Sequence, residues 1–390
     1  MVKILKIRAE GLPLYKQPLV LTFTAMQRVH ESHMNAVSNL FGNVYVNHAE
    51  AFIGLNATGK TMTLNVISFV FSLLSAKPLN SIETPMLMYS DKNVTFDVDF
   101  FADGKLYHLK SEIAKKKQAN RIDPNESESY LILNEKLWIR QVNTRMNKSH
   151  LFDYAGLEPT MERSTFEKYL PADVSIMVTL NKEMDGGIKF IDLTVFTNNN
   201  TFYTFGDFVP SEIISMLDPS IASISREGFN DKPCIKLKFK NGSEYTIFER
   251  YELNKYLSSG TIKGIYIFEI LANVLELGGY MIVDELENHF NHELVATLLR
   301  IFLNKRTNPK GAVIIFSTHY PELLDELQRN DSVFITRKND GLATENLNDL
   351  LKRNDLKKSE IYESSFLGGT APKYSAIDAY RKSIIARLGG

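Results

Sequence analysis

The chain has 390 residues, 44% of them hydrophobic and 23% charged, an ordinary globular balance that can supply a sizeable core. Lysine plus arginine number 45 and aspartate plus glutamate 46, so the net charge of −1 gives no global electrostatic case for nucleic-acid binding and leaves only a local basic patch for such a role. The single cysteine, Cys234, excludes an internal disulfide, and a reducing, cytoplasmic location is expected.

At roughly 150 residues per domain, the length fits two or three folding units, or one large α/β unit with insertions. Met1 to Arg8 alternates apolar and polar residues as a strand does and lacks the apolar core of a secretion signal. A strand-like run, Val44 to Ile53, leads into Gly54-Leu55-Asn56-Ala57-Thr58-Gly59-Lys60-Thr61, and an apolar helix-like run, Met62 to Leu74, follows. The octet fits the phosphate-binding loop G-x-x-x-x-G-K-[ST] at every fixed position, in the strand-to-helix context that the motif needs. Its glycines let backbone N–H groups close around a triphosphate, and the helix offers its positive N-terminus. The expected contacts are Gly54, Asn56, Ala57, Thr58, Gly59 and Met62 around the phosphates, with Lys60 on the β- and γ-phosphates and the Thr61 hydroxyl on Mg²⁺.

Asn93 to Phe101 and Lys105 to Ile113 alternate around Ala102-Asp103-Gly104 and predict a hairpin. The polar run from Lys115 to Glu128 reads as an exposed loop and a boundary. From about Ser129 to Phe248 the pattern is mixed, with hairpin turns at Asn198-Asn199-Asn200 and at Asn241-Gly242 and no catalytic constellation. From Tyr251 onward, helices near 259–277, 292–303 and 321–328 alternate with strands near 280–283, 312–316 and 333–336, which predicts a largely parallel sheet. The longest apolar stretch, Gly264 to Val283, carries Glu269 and Glu276 and is broken by Gly278-Gly279, so a buried helix and strand explain it better than a membrane span.

A phosphate loop needs a metal partner and a water activator. Tyr280-Met281-Ile282-Val283 is a buried strand from which Asp284 and Glu285 emerge, at the end where open parallel sheets bind ligands. Asp284 is placed on Mg²⁺, directly or through water, and Glu285 on the attacking water. His319, after the strand-like Ile314 to Thr318, is a candidate contact for the γ-phosphate. Leu257-Ser258-Ser259-Gly260-Thr261 opens a helix, and its free N–H groups form an anion site that is compatible with simple N-capping.

Together these motifs resemble the ABC-type ATPase heads of SMC, RecF and OLD-family proteins, and within that group the small prokaryotic AAA family ATPases, many of which act in antiphage or abortive-infection systems. The resemblance spans about 1–113 and 251–375 and is weak between them. Asn56 matches G-x-N-x-[AST]-G-K-[ST], Leu257 to Thr261 resembles the ABC signature, and Asp284-Glu285-Leu286-Glu287-Asn288 matches the OLD-like D-E-[IL]-E-N run. Ser317 to Leu324 resembles the switch segment, and Arg353-Asn354-Asp355 and Phe366 to Pro372 resemble the C-terminal pattern. Phe290-Asn291-His292 departs from the usual L-H-P, which puts that loop's contacts across a dimer in doubt. For the group's metal-sensing glutamine, Gln141 and Gln118 are the two candidates.

The resemblance implies an α/β P-loop ABC-ATPase head with a mixed, largely parallel sheet, an N-terminal antiparallel β subdomain and a middle α+β insertion. The expected divisions are 1–113, 114–250, 251–345 and a tail, 346–390. It further implies ATP and Mg²⁺ as ligands, catalysis by Glu285, His319 and Lys60, and a homodimer in which Ser258, Ser259 and Gly260 of one copy complete the ATP site of the other. About 70 residues follow His319, too few for an added nuclease domain, so a separate effector protein, a nuclease or toxin in antiviral defence, is the expected partner. The alternatives are a RecF-like DNA-repair ATPase using Lys115, Lys116, Lys117 and Arg121, and a transporter ATPase subunit. No membrane association is expected of the chain itself.

Overall fold

The computed structural model describes residues 1–88, 90, 92–116, 129–143, 146, 148–165, 169–184, 187–195, 207–229, 232–288, 290–338, 340–351, 353, 356–364, 366–370 and 374–388. A six-stranded sheet runs in the order Phe190–Leu193, Tyr280–Val283, Val313–Thr318, Ala49–Ile53, Val333–Lys338, Leu342–Asn346. The first five strands are parallel and the sixth is antiparallel. Both faces are covered, which is why these strands read as apolar runs. Side chains alternate between two cores: Phe52, Ile282, Ile315 and Phe334 face one way, Ile53, Val283, Ile314 and Phe316 the other.

The helix Lys60–Leu74 lies on the first face and is apolar nearly all round because its other side meets a second sheet. Phe71 packs on Tyr280 of the parallel sheet with ring centroids 4.8 Å apart, and Phe69 on Phe96 of the second sheet at 5.1 Å. That second sheet is antiparallel throughout, in the order Leu19–Thr22, Lys3–Glu10, Val94–Ala102, Lys105–Lys115, Tyr130–Gln141, Met161–Glu162. The helices Ser259–Leu277 and His292–Phe302 cover the opposite face of the parallel sheet. The α/β architecture with a largely parallel sheet and an antiparallel N-terminal sheet is therefore present.

The middle stretch contributes strands to both sheets. Tyr130–Gln141 extends the antiparallel sheet on Lys105–Lys115, and Phe190–Leu193 forms the edge of the parallel sheet beside Tyr280–Val283. Four residues are too few to display a period, so this edge strand left no mark in the sequence pattern. Ile221–Phe229, Lys232–Phe239 and Glu244–Ile247 form a smaller unit with the helix Ser211–Leu217, and its core continues into Ile262 and Ile265. The Asn241-Gly242 turn closes its hairpin with Gly242 at φ 90°. Gln118, Lys117, Arg121, the Asn198–Asn200 turn, Asn354, Asp355, Ala371 and Pro372 lie outside the described residues.

Two local expectations change. The run Val44 to Ile53 divides at His48: Val44–Asn47 pairs with Val37–Phe41, and only Ala49–Ile53 enters the parallel sheet. The helix expected over 321–328 is a 3₁₀ segment, Pro321–Glu326, entered through a proline that fixes its first turn. Among the described residues, no helix is long and apolar enough to cross a membrane.

Candidate active site

Three neighbouring parallel strands deliver the site at their carboxyl ends. Ala49–Ile53 leads into the phosphate loop, Tyr280–Val283 into Asp284 and Glu285, and Val313–Thr318 into His319. Register pairs Val283 with Phe316 and Thr318 with Ile53, which brings Asp284 beside Ser317.

The loop's shape depends on its glycines. A Cβ at Gly54 would lie 2.2 Å from Thr336 Oγ1 and 2.5 Å from the Thr336 carbonyl oxygen, so only glycine fits against the strand Val333–Lys338. Gly59 takes φ 98° at the start of the helix, and Ala57 holds a left-handed φ of 61°. Thr58 braces the loop: its hydroxyl donates to the Leu55 carbonyl at 2.7 Å and lies 2.7 Å from the Thr336 hydroxyl.

Lys60 is 6% exposed, and its ammonium donates to the carbonyls of Gly54 at 2.9 Å and Leu55 at 3.2 Å. Burial lowers its pKa, while the carboxylates of Asp284, Glu285 and Glu287 act in the opposite direction. The Thr61 hydroxyl donates to Asp284 Oδ2 at 2.6 Å. Asp284 is 2% exposed, and its other oxygen accepts from the Ser317 hydroxyl. That hydroxyl oxygen also accepts from the Glu285 N–H at 2.7 Å, and Leu286 N–H donates to the Ser317 carbonyl at 3.0 Å. These bonds hold Glu285 at φ 48°, a conformation rare for a side-chain-bearing residue and typical of functional turns. The Asn288 amide donates to Glu285 Oε2, and His319 Nε2 stands 3.5 Å from Glu285 Oε1.

A pocket of about 450 Å³ joins the loop from Asn56 to Met62 with Glu285 and His319. Its lining includes Leu14, Lys338 and Leu342, none of which the sequence singles out. Leu14 sits in a turn at φ 70° and accepts from Leu342 N–H at 2.8 Å, a contact between distant segments that no local pattern announces. Ser317 and Asn288, which fix the two carboxylates, were also missed as functional residues. Their signals lay inside the matched motifs, but their contacts depend on strand register.

Gly54 and Asp284 meet the pocket through Lys60 and Thr61 rather than lining it, and two further expected parts lie away from it. Gln141 is exposed at the end of its strand, opposite Lys105 in the antiparallel sheet, and the structure does not bring it to Asp284. Ser258, Ser259 and Gly260 open the helix Ser259–Leu277 away from the pocket lining. Ser258 is the N-cap: its hydroxyl accepts from Thr261 N–H at 3.0 Å. Ser258 and Ser259 are exposed on the surface.

Residues 225–325 match a protein family described as "AAA domain, putative AbiEii toxin, Type IV TA system". The match runs through Ser258–Gly260, Asp284, Glu285 and His319 and stops short of the phosphate loop on the N-terminal side. The likeness is confined to that stretch, about a quarter of the chain. No curated protein matches. Among solved structures, the chain is similar to CbiO1 from Clostridium perfringens, described as part of the ABC transporter complex CbiONQ. The identity is 10%, with 97% of this chain and 100% of that chain covered and a TM-score of 0.29.

The donor set suits Mg²⁺. Thr61 and Asp284 offer two hard oxygens beside the phosphate loop, and Mg²⁺ at nucleotide sites takes one or two carboxylates, with phosphate and water oxygens filling the rest. Two adjacent oxygens on a Mg²⁺ octahedron stand roughly 2.9 Å apart, so the 2.6 Å pair needs to open by only a few tenths of an ångström.

Proposed function

We propose that the chain binds Mg²⁺-ATP and hydrolyses it to ADP and phosphate, that two copies complete each other's sites, and that this cycle regulates a separate effector in antiphage defence. The hydrolytic reading is carried by the convergence of Lys60, Thr61, Glu285 and His319 on one pocket, with Asp284 bonded to Thr61 at 2.6 Å. Lys60 and the loop N–H groups bind the triphosphate and orient the γ-phosphate for in-line attack. Bound Mg²⁺, held by Thr61 and Asp284, would neutralise phosphate charge. Glu285, locked by Asn288 and the Ser317 contact, orients the water and accepts its proton. His319 contacts the γ-phosphate from the neighbouring strand.

The dimer reading rests on Ser258 and Ser259, exposed at a helix start that, with Gly260, lies outside its own chain's pocket. The description of the matched family as a putative toxin of a type IV TA system, together with the OLD-like Asp284–Asn288 run, supports the defence part of this reading.

A mixing experiment tests the shared site. Chains carrying Lys60→Ala and chains carrying Ser259→Arg should each be inactive alone. Mixed in equal amounts, they should regain a substantial fraction of wild-type turnover, because one composite site per mixed dimer is intact. If each variant were dead and the mixture stayed dead despite subunit exchange, the shared site would be refuted. If wild type showed no ATPase activity with or without its co-purifying partners, the hydrolytic reading itself would fall.

A further inference from the structure

Glu287 has no role in the chemistry described so far, yet it is built into the site. It follows Glu285 by two residues, is 5% exposed, and lies close enough to Lys60 for its charge to act on that ammonium. Its Oε1 accepts the backbone N–H of His319 at 2.6 Å, and its Oε2 is buried with no hydrogen-bond partner among the described residues. A buried carboxylate with only one oxygen satisfied is costly, so packing or solubility does not explain its presence.

The bond it makes joins two parts that must move or hold together. One is the turn carrying Asp284, Glu285 and Asn288. The other is the end of the strand Val313–Thr318, where His319 leaves the sheet. The His319 ring stands 3.5 Å from both Lys60 Nζ and Glu285 Oε1, so a small tilt of its backbone would displace the ring from both. Thr318 lends a second, weaker restraint one residue on: its hydroxyl accepts from Tyr320 N–H at 3.0 Å.

We infer that Glu287 is a positioning residue that clamps the His319 main chain to the acidic turn, so that the histidine reaches the γ-phosphate only when Glu285 is also in place. Glu287 acts through His319 and touches neither water nor phosphate. The inference rests on the hydrolytic reading of the same pocket.

Near-isosteric variants separate the hydrogen bond from packing and charge. Glu287→Gln keeps an oxygen that can accept the His319 N–H, whereas Glu287→Met keeps the volume and loses the acceptor. Steady-state ATPase assays with wild type, both variants, His319→Ala and the double variants read the outcome, with binding of a fluorescent ATP analogue measured in parallel. The expected result is a fall in kcat of roughly 10- to 100-fold for Glu287→Met, the scale of a misplaced catalytic group, with KM within about threefold. Glu287→Gln should stay within about threefold of wild type in kcat. In the His319→Ala background, Glu287→Met should cost nothing more.

Equal losses for Gln and Met, unchanged kcat for Met, or full additivity with His319→Ala would each overturn the clamp. If the Met variant melts below the assay temperature, Glu287→Asp replaces it. The shorter side chain keeps the charge and cannot span the present 2.6 Å contact, so kcat should again fall, and an unchanged kcat again overturns the inference. An inactive wild type that still binds nucleotide would strike the hydrolytic reading instead, and is distinguishable because no variant could then differ from it.

Discussion

His319 stands between Lys60 and Glu285, its Nδ1 3.5 Å from the lysine ammonium and its Nε2 3.5 Å from the carboxylate. One ring thus touches both the lysine proposed to bind phosphate and the carboxylate proposed to handle water. Replacing His319 by alanine should lower kcat by about 10- to 100-fold while ATP affinity changes far less, since Lys60 keeps its own carbonyl partners. Kinetics with a parallel binding titration reads the split, and a loss confined to affinity would contradict this arrangement.

Lys60→Ala should abolish tight nucleotide binding. A hydrogen bond to a charged group contributes about 1.5–3 kcal/mol, and 1.4 kcal/mol is tenfold in affinity, so Kd for Mg²⁺-ATP should rise by at least about tenfold. Calorimetry on wild type and variant measures it directly.

Glu285→Gln should leave nucleotide binding intact and slow turnover by about 10²- to 10⁴-fold, the range for loss of a general base. Under the shared-site proposal it should also accumulate an ATP-bound dimer, visible by native mass measurement. Full turnover in this variant would remove Glu285 from the role of base.

Gly54→Ala tests the fit of the loop against its neighbouring strand. The added Cβ would lie 2.2 Å from Thr336 Oγ1 and 2.6 Å from Thr58 Oγ1, besides the Thr336 carbonyl oxygen at 2.5 Å. Overpacking of this kind costs about 1–3 kcal/mol. Thermal melting should drop by several degrees and nucleotide binding should weaken. Adding Thr336→Ala should recover only part of the loss, because the backbone oxygen remains in the way.

His48 gives a pH-dependent signature away from the site. Burial, with the neighbouring Lys3 charge second, lowers its pKa from 6.5 to about 4 in the folded chain, while Ser38 Oγ lies 2.8 Å from Nε2. The unfolded chain therefore takes up the proton first on acidification. The stabilisation is fully present above about pH 6.5 and is lost as pH falls toward 4, a change of roughly 3 kcal/mol. Denaturant titrations between pH 7.5 and 4.5 should show this slope reduced in His48→Gln.

The glycine-lysine loop, the acidic strand end and His319 beside them were legible in position because each depends on residue types at fixed local spacing. The partners that complete them were not. Ser317 meets Asp284 through the register of two parallel strands, and Leu14 meets Leu342 through a turn that packs on a remote hairpin. Gln141 lies apart from Asp284 for the opposite reason. Its placement depended on a resemblance rather than on a local pattern, and a twelve-residue antiparallel strand carries it to the exposed end opposite Lys105. The edge strand Phe190–Leu193 was invisible because its membership in the sheet is decided by Tyr280–Val283, not by its own four residues.

The strand Ala49–Ile53 takes both of its neighbours, Val313–Thr318 and Val333–Lys338, from the far end of the chain. During synthesis it leaves the ribosome with both edges bare and stays so until those segments follow. At 5–20 residues per second that interval is on the order of tens of seconds. Until Phe190 and Tyr280, which pack on Phe71, have been made, the apolar helix Lys60–Leu74 has only the antiparallel sheet to lie against, and nascent chains stalled before Val313 hold the complete phosphate loop without the two strands that flank Ala49–Ile53. Production of this protein should therefore depend more on chaperone supply and elongation rate than its final stability would suggest.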